Sequence, residues 1–352
     1  MPGLTIIGTG RYVPGNPISN TDLMRVMDTD DAWIRQRTGI HQRYYAPEGV
    51  GSSELGAKAA AIAIESAGID PSEIDYILAA TMTADYVFPG IGGQIGAKLG
   101  LGWVPALDIR QQCAAIPYAM QVADCLVAGG AASTVLVVGA DAHAGFMPWK
   151  DWDVVYGTSD RKVSQESYQR ATEHRGLAVL FGDGAGAMVM RKSETPGHGY
   201  WGAQLHTDGE LVEGIFIPGG SFCERPYWKP EMSERHEEIP RMNGRELFRS
   251  AVKRLPAAIR TLCDRHNVTL DDVDWFIAHQ ANDRINAAVR DALKIPAEKV
   301  PSNIAKYGNT SAGTIGILMD EMARDGRLQR GQLLCVFALG AGLNWGAVLM
   351  RY

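Results

Sequence analysis

Cys113 stands immediately before an apolar, helix-like run from Ala114 to Ala128, with Pro117 close enough to its start to be tolerated. A thiol at a helix N-terminus meets partial positive charge that favours the thiolate, so this position predicts a nucleophile of lowered pKa. Cys125, Cys263 and Cys335 lie inside helix or strand patterns and read as small buried apolar residues. His279 closes the apolar strand WFIAH and opens a polar cluster of Gln280, Asn282, Asp283 and Arg284. The C-terminal end of a buried strand in an α/β fold faces a crevice, which suits a histidine that does chemistry. Near the C-terminus, LGAGLNWGA (Leu339 to Ala347) offers closely spaced backbone amides that can hold a developing oxyanion. A second glycine-rich turn, FGDGAGA (Phe181 to Ala187), reads as a structural crossing. Neither turn has the GxGxxG spacing of dinucleotide sites, and His236-Glu237-Glu238 lacks the second histidine of a zinc-protease helix.

These groups are far apart in the chain, and an internal repeat accounts for their meeting. VPALDIRQQC sets Cys113 nine residues after Val104, and VPSNIAKYGN sets Asn309 nine residues after Val300. Both segments continue as small-residue, helix-like runs and reach a glycine seventeen residues further on, Gly130 and Gly326, where a helix would end. A strand pattern follows each, Thr134 to Val138 and Leu333 to Phe337. Upstream, Ile69 to Ala80 aligns without gaps on Val268 to His279, and each is preceded by a helix pattern, Ser53 to Ala67 and Arg245 to Arg265. Strands alternating with helices imply parallel sheets covered by helices. Two such halves packed face to face predict a five-layered α/β/α/β/α body with its site at their junction, where Cys113, His279 and Asn309 converge. The halves are expected to span 1–187 and 188–352. Two stretches fall outside the repeat, Phe146 to His174 and Ile217 to Pro240, and read either as loops or short helices capping a cleft or as surface decoration.

The chain of 352 residues is long enough for a large core, and its 40 glycines suit many tight turns and close backbone approaches. A formal charge of −6 argues against a nucleic-acid binder that relies on phosphate neutralisation. The five cysteines form no CxxC pair, which suits a reducing compartment better than a disulfide framework. No run approaches the roughly 20 apolar residues of a membrane span, and the first residues lack the pattern of a secretory signal. A cytoplasmic, soluble enzyme without membrane association is expected.

In order along nearly the whole chain, IIGTGRYVP, DAWIRQRTGI, FPG, the Cys113 segment, HRGLAVLFGDGAGA, HQANDRI, YGNTSAG and GAGLNWGA resemble the β-ketoacyl-acyl-carrier-protein synthase III family. The resemblance implies a thiolase fold and a catalytic set of Cys113, His279 and Asn309. Related thiolases have a second cysteine, and the elongating synthases a second histidine, where this chain has Asn309. It further implies that Cys113 takes an acyl group from acyl-CoA while the amides of Cys113 and Ala341 hold the oxyanion. His279 and Asn309 would then bind the thioester oxygen of a malonyl group on acyl carrier protein as CO2 leaves. By the same resemblance, Trp33, Arg37 and Arg175 meet the CoA nucleotide, and Gly244 and Asn282 meet the pantetheine arm. Arg249 and Arg284 would dock the acidic carrier protein, and Phe88 would enter the acyl pocket of a homodimer partner. The thioesters are substrates, and no metal or organic cofactor is implied.

The chain departs from the primer-condensing members in AAIPYAM after Cys113, in Ala341, Leu343 and Asn344, and in a longer stretch at Phe146 to His174. Trp149, Trp152 and Tyr156 of that stretch are candidates to line or cover an acyl pocket. The alternative activity is acyl transfer from Cys113 to a hydroxyl, amine or carrier without decarboxylation. A non-catalytic partner subunit would be marked by loss of the nucleophile, and Cys113 is present.

Overall fold

In the computed structural model, which describes residues 3–352, nine strands make two mixed sheets. The first contains β1 (Leu4–Tyr12), β2 (Tyr76–Ala80), β3 (Ala106–Ile109), β4 (Thr134–Asp141) and β5 (Gly184–Lys192), in spatial order β1-β5-β4-β2-β3. The second contains β6 (Gly199–Thr207), β7 (Trp275–Ala278), β8 (Leu333–Gly340) and β9 (Asn344–Arg351), in order β7-β8-β9-β6. The principal helices are α1 (Ser52–Ala67), α2 (Ala115–Ala128), α3 (Gly244–Arg265), α4 (Asp283–Leu293) and α5 (Gly313–Arg324).

The period-2 pattern of the buried strands sorts side chains between layers. On β4, Val135 and Val137 face an inner core with Ile116 and Met120 of α2 and Leu318 and Met319 of α5. Ile277, Leu334, Val336 and Val348 of the second sheet enclose the same core from the other side. Leu136 and Val138 point the opposite way, into a core with Leu55, Ala59, Ala60 and Ala63 of α1. Leu255, Ile259 and Leu262 of α3, with Val289 and Leu293 of α4, cover the outer face of the second sheet at Phe276, Cys335 and Leu349. The five-layered α/β/α/β/α order and the thiolase fold are therefore as the repeat and the resemblance imply. The helix stops agree as well, because Gly130 and Gly326 both lie in the left-handed region, with φ of 73° and 78°.

Two expectations need correction. The sheets are not wholly parallel: β2 runs parallel to β3 and β4, and β7 to β8, while every pairing made by β5 and by β9 is antiparallel. Only three residues join β8 to β9, a connection too short for a parallel crossover. Nor do the aromatics of the 146–174 stretch line the main cavity. Trp149 and Trp152 pack edge-on against Tyr45 with ring centroids 6.0 and 5.2 Å away, and Tyr156 stacks on Trp152. This cluster builds a satellite core with Phe146, Val154 and Val155, because mutual burial of large rings removes more apolar area from water than a pocket wall would. The strand β5 that carries the expected boundary at 187/188 continues to Lys192.

Near that boundary β5 crosses α5 in close contact. A Cβ at Gly186 would stand 2.4 Å from the Ile317 nitrogen, so glycine is required there to let strand and helix meet.

Candidate active site

Cys113 sits in a single 3-10 turn, Gln112–Ala114, between β3 and α2. The turn is tight enough that Gln112 adopts a left-handed φ of 53°. It is also pressed against the end of β8, where a Cβ at Gly340 would come within 2.9 Å of the Cys113 nitrogen and 2.6 Å of the Ala114 nitrogen. That glycine lets the Ala341 turn lie beside the thiol. The turn is held from below by Asn344, whose side-chain amide donates to the Ala341 carbonyl and whose Oδ1 accepts from Thr207 at 2.7 Å.

The sulfur of Cys113 is 3.3 Å from the Ser311 hydroxyl. Contrary to the lowered pKa expected from a helix N-terminus, burial pushes the thiol up to about 12, with Ser311 pulling the other way and Asp141 adding to the rise. Helix α2 starts only at Ala115, two residues beyond the thiol, and desolvation of a thiolate outweighs its dipole.

His279 follows β7 and its backbone N–H donates to the Phe337 carbonyl at 2.9 Å, extending the sheet by one bond. Burial drives its imidazole down to about 3, so the ring is neutral at physiological pH. Its Nδ1 lies 2.6 Å from the Thr314 hydroxyl, while the buried Nε2 has no protein partner and the residue lines the cavity. Asn309 is fastened on both sides of its peptide: its N–H donates to Leu180 O at 2.9 Å and its C=O accepts from Gly182 N–H at 3.0 Å. Its side-chain Oδ1 accepts from Ser311 N–H at 2.8 Å, which leaves the Nδ2 donor for a ligand.

The loop that carries Asn309 belongs to the second half of the chain but is anchored in the first. Asp141, fully buried at the end of β4, accepts from Ala312 N–H at 3.0 Å through Oδ2. Its Oδ1 accepts from Met82 N–H at 2.7 Å, Thr83 N–H at 3.1 Å, and the hydroxyls of Thr81 and Thr83. Replacing Asp141 with alanine strands several donors in a dry site, each costing about 1–3 kcal/mol. A loss of at least about 3 kcal/mol in denaturant unfolding is expected for Asp141→Ala. A midpoint unchanged from wild type would show that the anchor is dispensable.

Cys113, His279 and Asn309 all line one cavity of about 770 Å3. Its walls include Met82, Leu180, Phe181, Ile215, Met242, Leu247, Phe248 and Ile285, and the exposed Arg245, Arg249 and Arg284 join them. Of the positions singled out in the sequence, Gly244, Asn282, Arg249, Arg284 and Ala341 also line it. The 217–240 stretch is closed by the pairing of Ile215 with Met242 and Phe216 with Arg241, which puts its base at the cavity wall.

Trp33, Arg37 and Arg175 form a separate cluster. The guanidinium of Arg37 lies 4.4 Å, and that of Arg175 5.0 Å, from the indole centroid, with Arg175 also paired to Asp28 at 3.1 Å. Asn282 connects this cluster to the cavity by donating from Nδ2 to the Arg37 carbonyl at 3.0 Å. Phe88 is 78% exposed, and Tyr86, Val87, Trp103 and Leu107 are exposed too. It lies two residues before Gly90, which packs on Asp108 of the edge strand β3, and is not a lining residue.

Ser311, Thr314 and Asp141 were not singled out in the sequence. Ser311 stands inside the quoted YGNTSAG motif, but its contact with Cys113 depends on the fold. Among the described residues no group of three or more His, Cys, Asp or Glu side chains is arranged to hold a metal ion. No helix among them is long and apolar enough to cross a membrane.

Family models for 3-oxoacyl-[acyl-carrier-protein] synthase III match residues 107–160 and 163–209, and the model of its C-terminal part matches 263–352. A β-ketoacyl-[acyl-carrier-protein] synthase III of Rhizorhabdus wittichii is 38% identical over 347 residues, covering 99% of this chain and 98% of its own. One from Cereibacter sphaeroides is 35% identical, covering 98% of each chain. Among solved structures, 3-oxoacyl-[acyl-carrier-protein] synthase III from Aquifex aeolicus superposes with a TM-score of 0.84 at 36% identity, covering 99% of this chain and 100% of that one. The Pseudomonas aeruginosa enzyme gives 0.83 at 32%, covering 99% and 98%. Identity at this level along essentially the entire length shows that the chain belongs to the 3-oxoacyl-[acyl-carrier-protein] synthase III family.

Proposed function

We propose that the protein is a β-ketoacyl-acyl-carrier-protein synthase III-type acyltransferase that condenses an acyl group with a malonyl thioester. The observation that carries the reading is the meeting, on one largely apolar cavity, of a thiol, a neutral imidazole and an amide whose oxygen is tied back. Cys113 attacks the acyl-CoA carbonyl, and the amides of Cys113 and Ala341 take the oxyanion. CoA leaves, and malonyl-acyl-carrier protein enters. Asn309 Nδ2 and His279 Nε2 then donate to the thioester oxygen as carbon dioxide departs. The resulting enolate carbon attacks acyl-Cys113, releasing the β-ketoacyl product and the Cys113 thiolate, which takes a proton from solvent. His279 can donate from Nε2 when the Thr314 hydroxyl gives its hydrogen to Nδ1, which the 2.6 Å contact allows. Neutral donors suit this step because they stabilise charge that grows only toward the enolate. Side chains and thioester substrates suffice for the whole sequence, so the proposed reaction needs no metal or organic cofactor.

Trp33, Arg37 and Arg175 are assigned to the CoA nucleotide. An indole flanked by guanidinium groups supports this, since it can stack on adenine while the cations meet phosphate. Gly244 and Asn282 are assigned to the pantetheine arm, and the exposed Arg249 and Arg284 to the acidic carrier protein. Trp33→Ala is expected to raise KM for acyl-CoA about tenfold, the scale of one base-stacking contact, with kcat little changed. Acyl-pantetheine, which lacks the nucleotide, should not feel the change. An equal loss with both donors would remove Trp33 from the nucleotide site.

We assign Phe88 to a homodimer interface, from which it enters the partner's acyl pocket. Its exposure beside an unpaired apolar edge strand supports this, since such an edge is ordinarily covered. A cytoplasmic setting is consistent with five free cysteines.

The test is intact-mass analysis after incubation with a panel of acyl-CoAs, followed by malonyl-acyl-carrier protein. Acylation discharged with carbon dioxide and a β-ketoacyl product is expected. Acylation discharged without carbon dioxide would replace condensation by simple acyl transfer.

A further inference from the structure

We infer that Ser311 is a fourth catalytic residue of this site, whose hydroxyl hydrogen-bonds the Cys113 sulfur and stabilises it as thiolate each time charge collects there. The inference rests on the reading of Cys113 as nucleophile and adds to it. The Ser311 oxygen is 3.3 Å from Cys113 Sγ, and that sulfur is its hydrogen-bond partner. The residue is fully buried, so water does not compete for the contact. Cys113 Sγ makes no hydrogen bond to His279 or Asn309, whose side chains bond Thr314 and the Ser311 N–H instead.

Ser311 is held in this position at a conformational cost. Its φ of 48° lies in the left-handed region, where a non-glycine residue is disfavoured. Two neighbouring bonds hold it there. Its N–H donates to Asn309 Oδ1 at 2.8 Å, and the next N–H, of Ala312, donates to Asp141 at 3.0 Å. The Thr314 hydroxyl lies 3.0 Å from the Ser311 C=O and 2.6 Å from His279 Nδ1, and its one hydrogen goes to Nδ1 when His279 donates from Nε2. One strained residue thus touches Cys113 by its side chain, Asn309 by its amide, and His279 through one intervening hydroxyl.

In the resting thiol either group can donate. Once the sulfur is ionised it has no hydrogen, so the bond can only run from Ser311 O–H to the thiolate, and charge makes it stronger. In acylation the Cys113 S–C bond forms, the C–S bond to CoA breaks, and the thiol proton ends on the CoA sulfur. In condensation a C–C bond forms, the S–C bond to Cys113 breaks, and the sulfur carries charge a second time. Ser311 keeps its own hydrogen throughout. The bond also opposes the upward push that burial exerts on the thiol.

The test needs no thioester, so it is independent of whether the condensation reading holds. Alkylation of Cys113 by iodoacetamide is followed against pH by peptide mass spectrometry, which separates it from the exposed Cys223 and from Cys125, which is exposed rather than buried as its helix pattern suggested. Two variants are compared with wild type. Ser311→Ala removes the hydroxyl and keeps the Cβ, and Ser311→Gly removes the hydroxyl and relaxes the left-handed backbone. Both are expected to slow alkylation at fixed pH by about three- to tenfold, the higher intrinsic nucleophilicity of a more basic thiolate offsetting part of the effect. The log rate should recover on raising the pH by about one unit. Glycine should at least match wild type in thermal midpoint, so it carries the test if the alanine variant is poorly folded. Wild-type rates in both variants would overturn the inference, as would slowing in the alanine variant alone, which would trace the effect to the backbone.

Discussion

Cys113→Ala is expected to abolish acylation outright, with no mass shift from any acyl-CoA, and to lower condensation by at least about 10⁴-fold. The loss should be confined to the covalent half-reaction. His279 and Asn309 are positioned by bonds to Thr314, Ser311 N–H, Leu180 and Gly182, none of which involves the Cys113 side chain. Malonyl-acyl-carrier protein should therefore still lose carbon dioxide slowly in the variant, yielding acetyl-acyl-carrier protein. A Cys113→Ala protein that still took up acyl label at another residue would remove the nucleophile from the mechanism. One that had lost decarboxylation as completely as acylation would show that the clamp depends on the thiol.

The converse pattern is expected of the clamp. His279→Ala should retain most of the Cys113 acylation rate, because the sulfur bonds Ser311 rather than the imidazole, and Asn309→Ala should lose only the part that follows from freeing the Ser311 N–H. Each should slow decarboxylation by about 10²–10³-fold, the usual cost of deleting one donor to a developing oxyanion. If the two act on one oxygen, the double variant will lose less than the product of the two single losses. Acylation that fell as far as decarboxylation in His279→Ala would instead make the imidazole the base for the thiol. The same residue leaves a mark on stability. Its folded-state pKa, about 3, lies below the ordinary 6.5, so the unfolded chain takes up the proton first as pH falls. The stabilisation it contributes is complete above about pH 6.5 and is lost progressively toward pH 3. Between pH 7 and 4 the wild type should lose more unfolding free energy than His279→Ala, measured by denaturant titration.

Much of this arrangement was legible because the chain contains its own template. Matching Val104-Pro105 to Val300-Pro301 was enough to bring Cys113 and Asn309 to one junction and to give the five layers. The helix-stop glycines at Gly130 and Gly326 then fixed the same geometry twice. What stayed hidden depends on contacts between segments distant in sequence. The direction of the Cys113 shift follows from burial, which a dipole argument on the local run cannot include. The ring cluster around Tyr45 was unreadable because Tyr45 is a hundred residues from Trp149. Antiparallel β5 and β9 were missed because repeated helix–strand units suggested parallel order, while a hairpin as short as that between β8 and β9 imposes the opposite. Ser311 gave no warning because serine carries no signature of a left-handed backbone, unlike the glycines.

The anchoring of the Asn309 loop on Asp141 has a consequence for the order of synthesis. Translation delivers Cys113 and Asp141 early, whereas Ser311 and the Ala341 turn belong to the last stretch of the chain. Since Ser311, Asn309 and the Ala341 turn all arrive after Cys113, a nascent chain on the ribosome holds its thiol without the pocket that surrounds it in the fold. On the proposed mechanism the thioester site is complete only when the C-terminal strands have closed over the first half, so condensation awaits the finished chain.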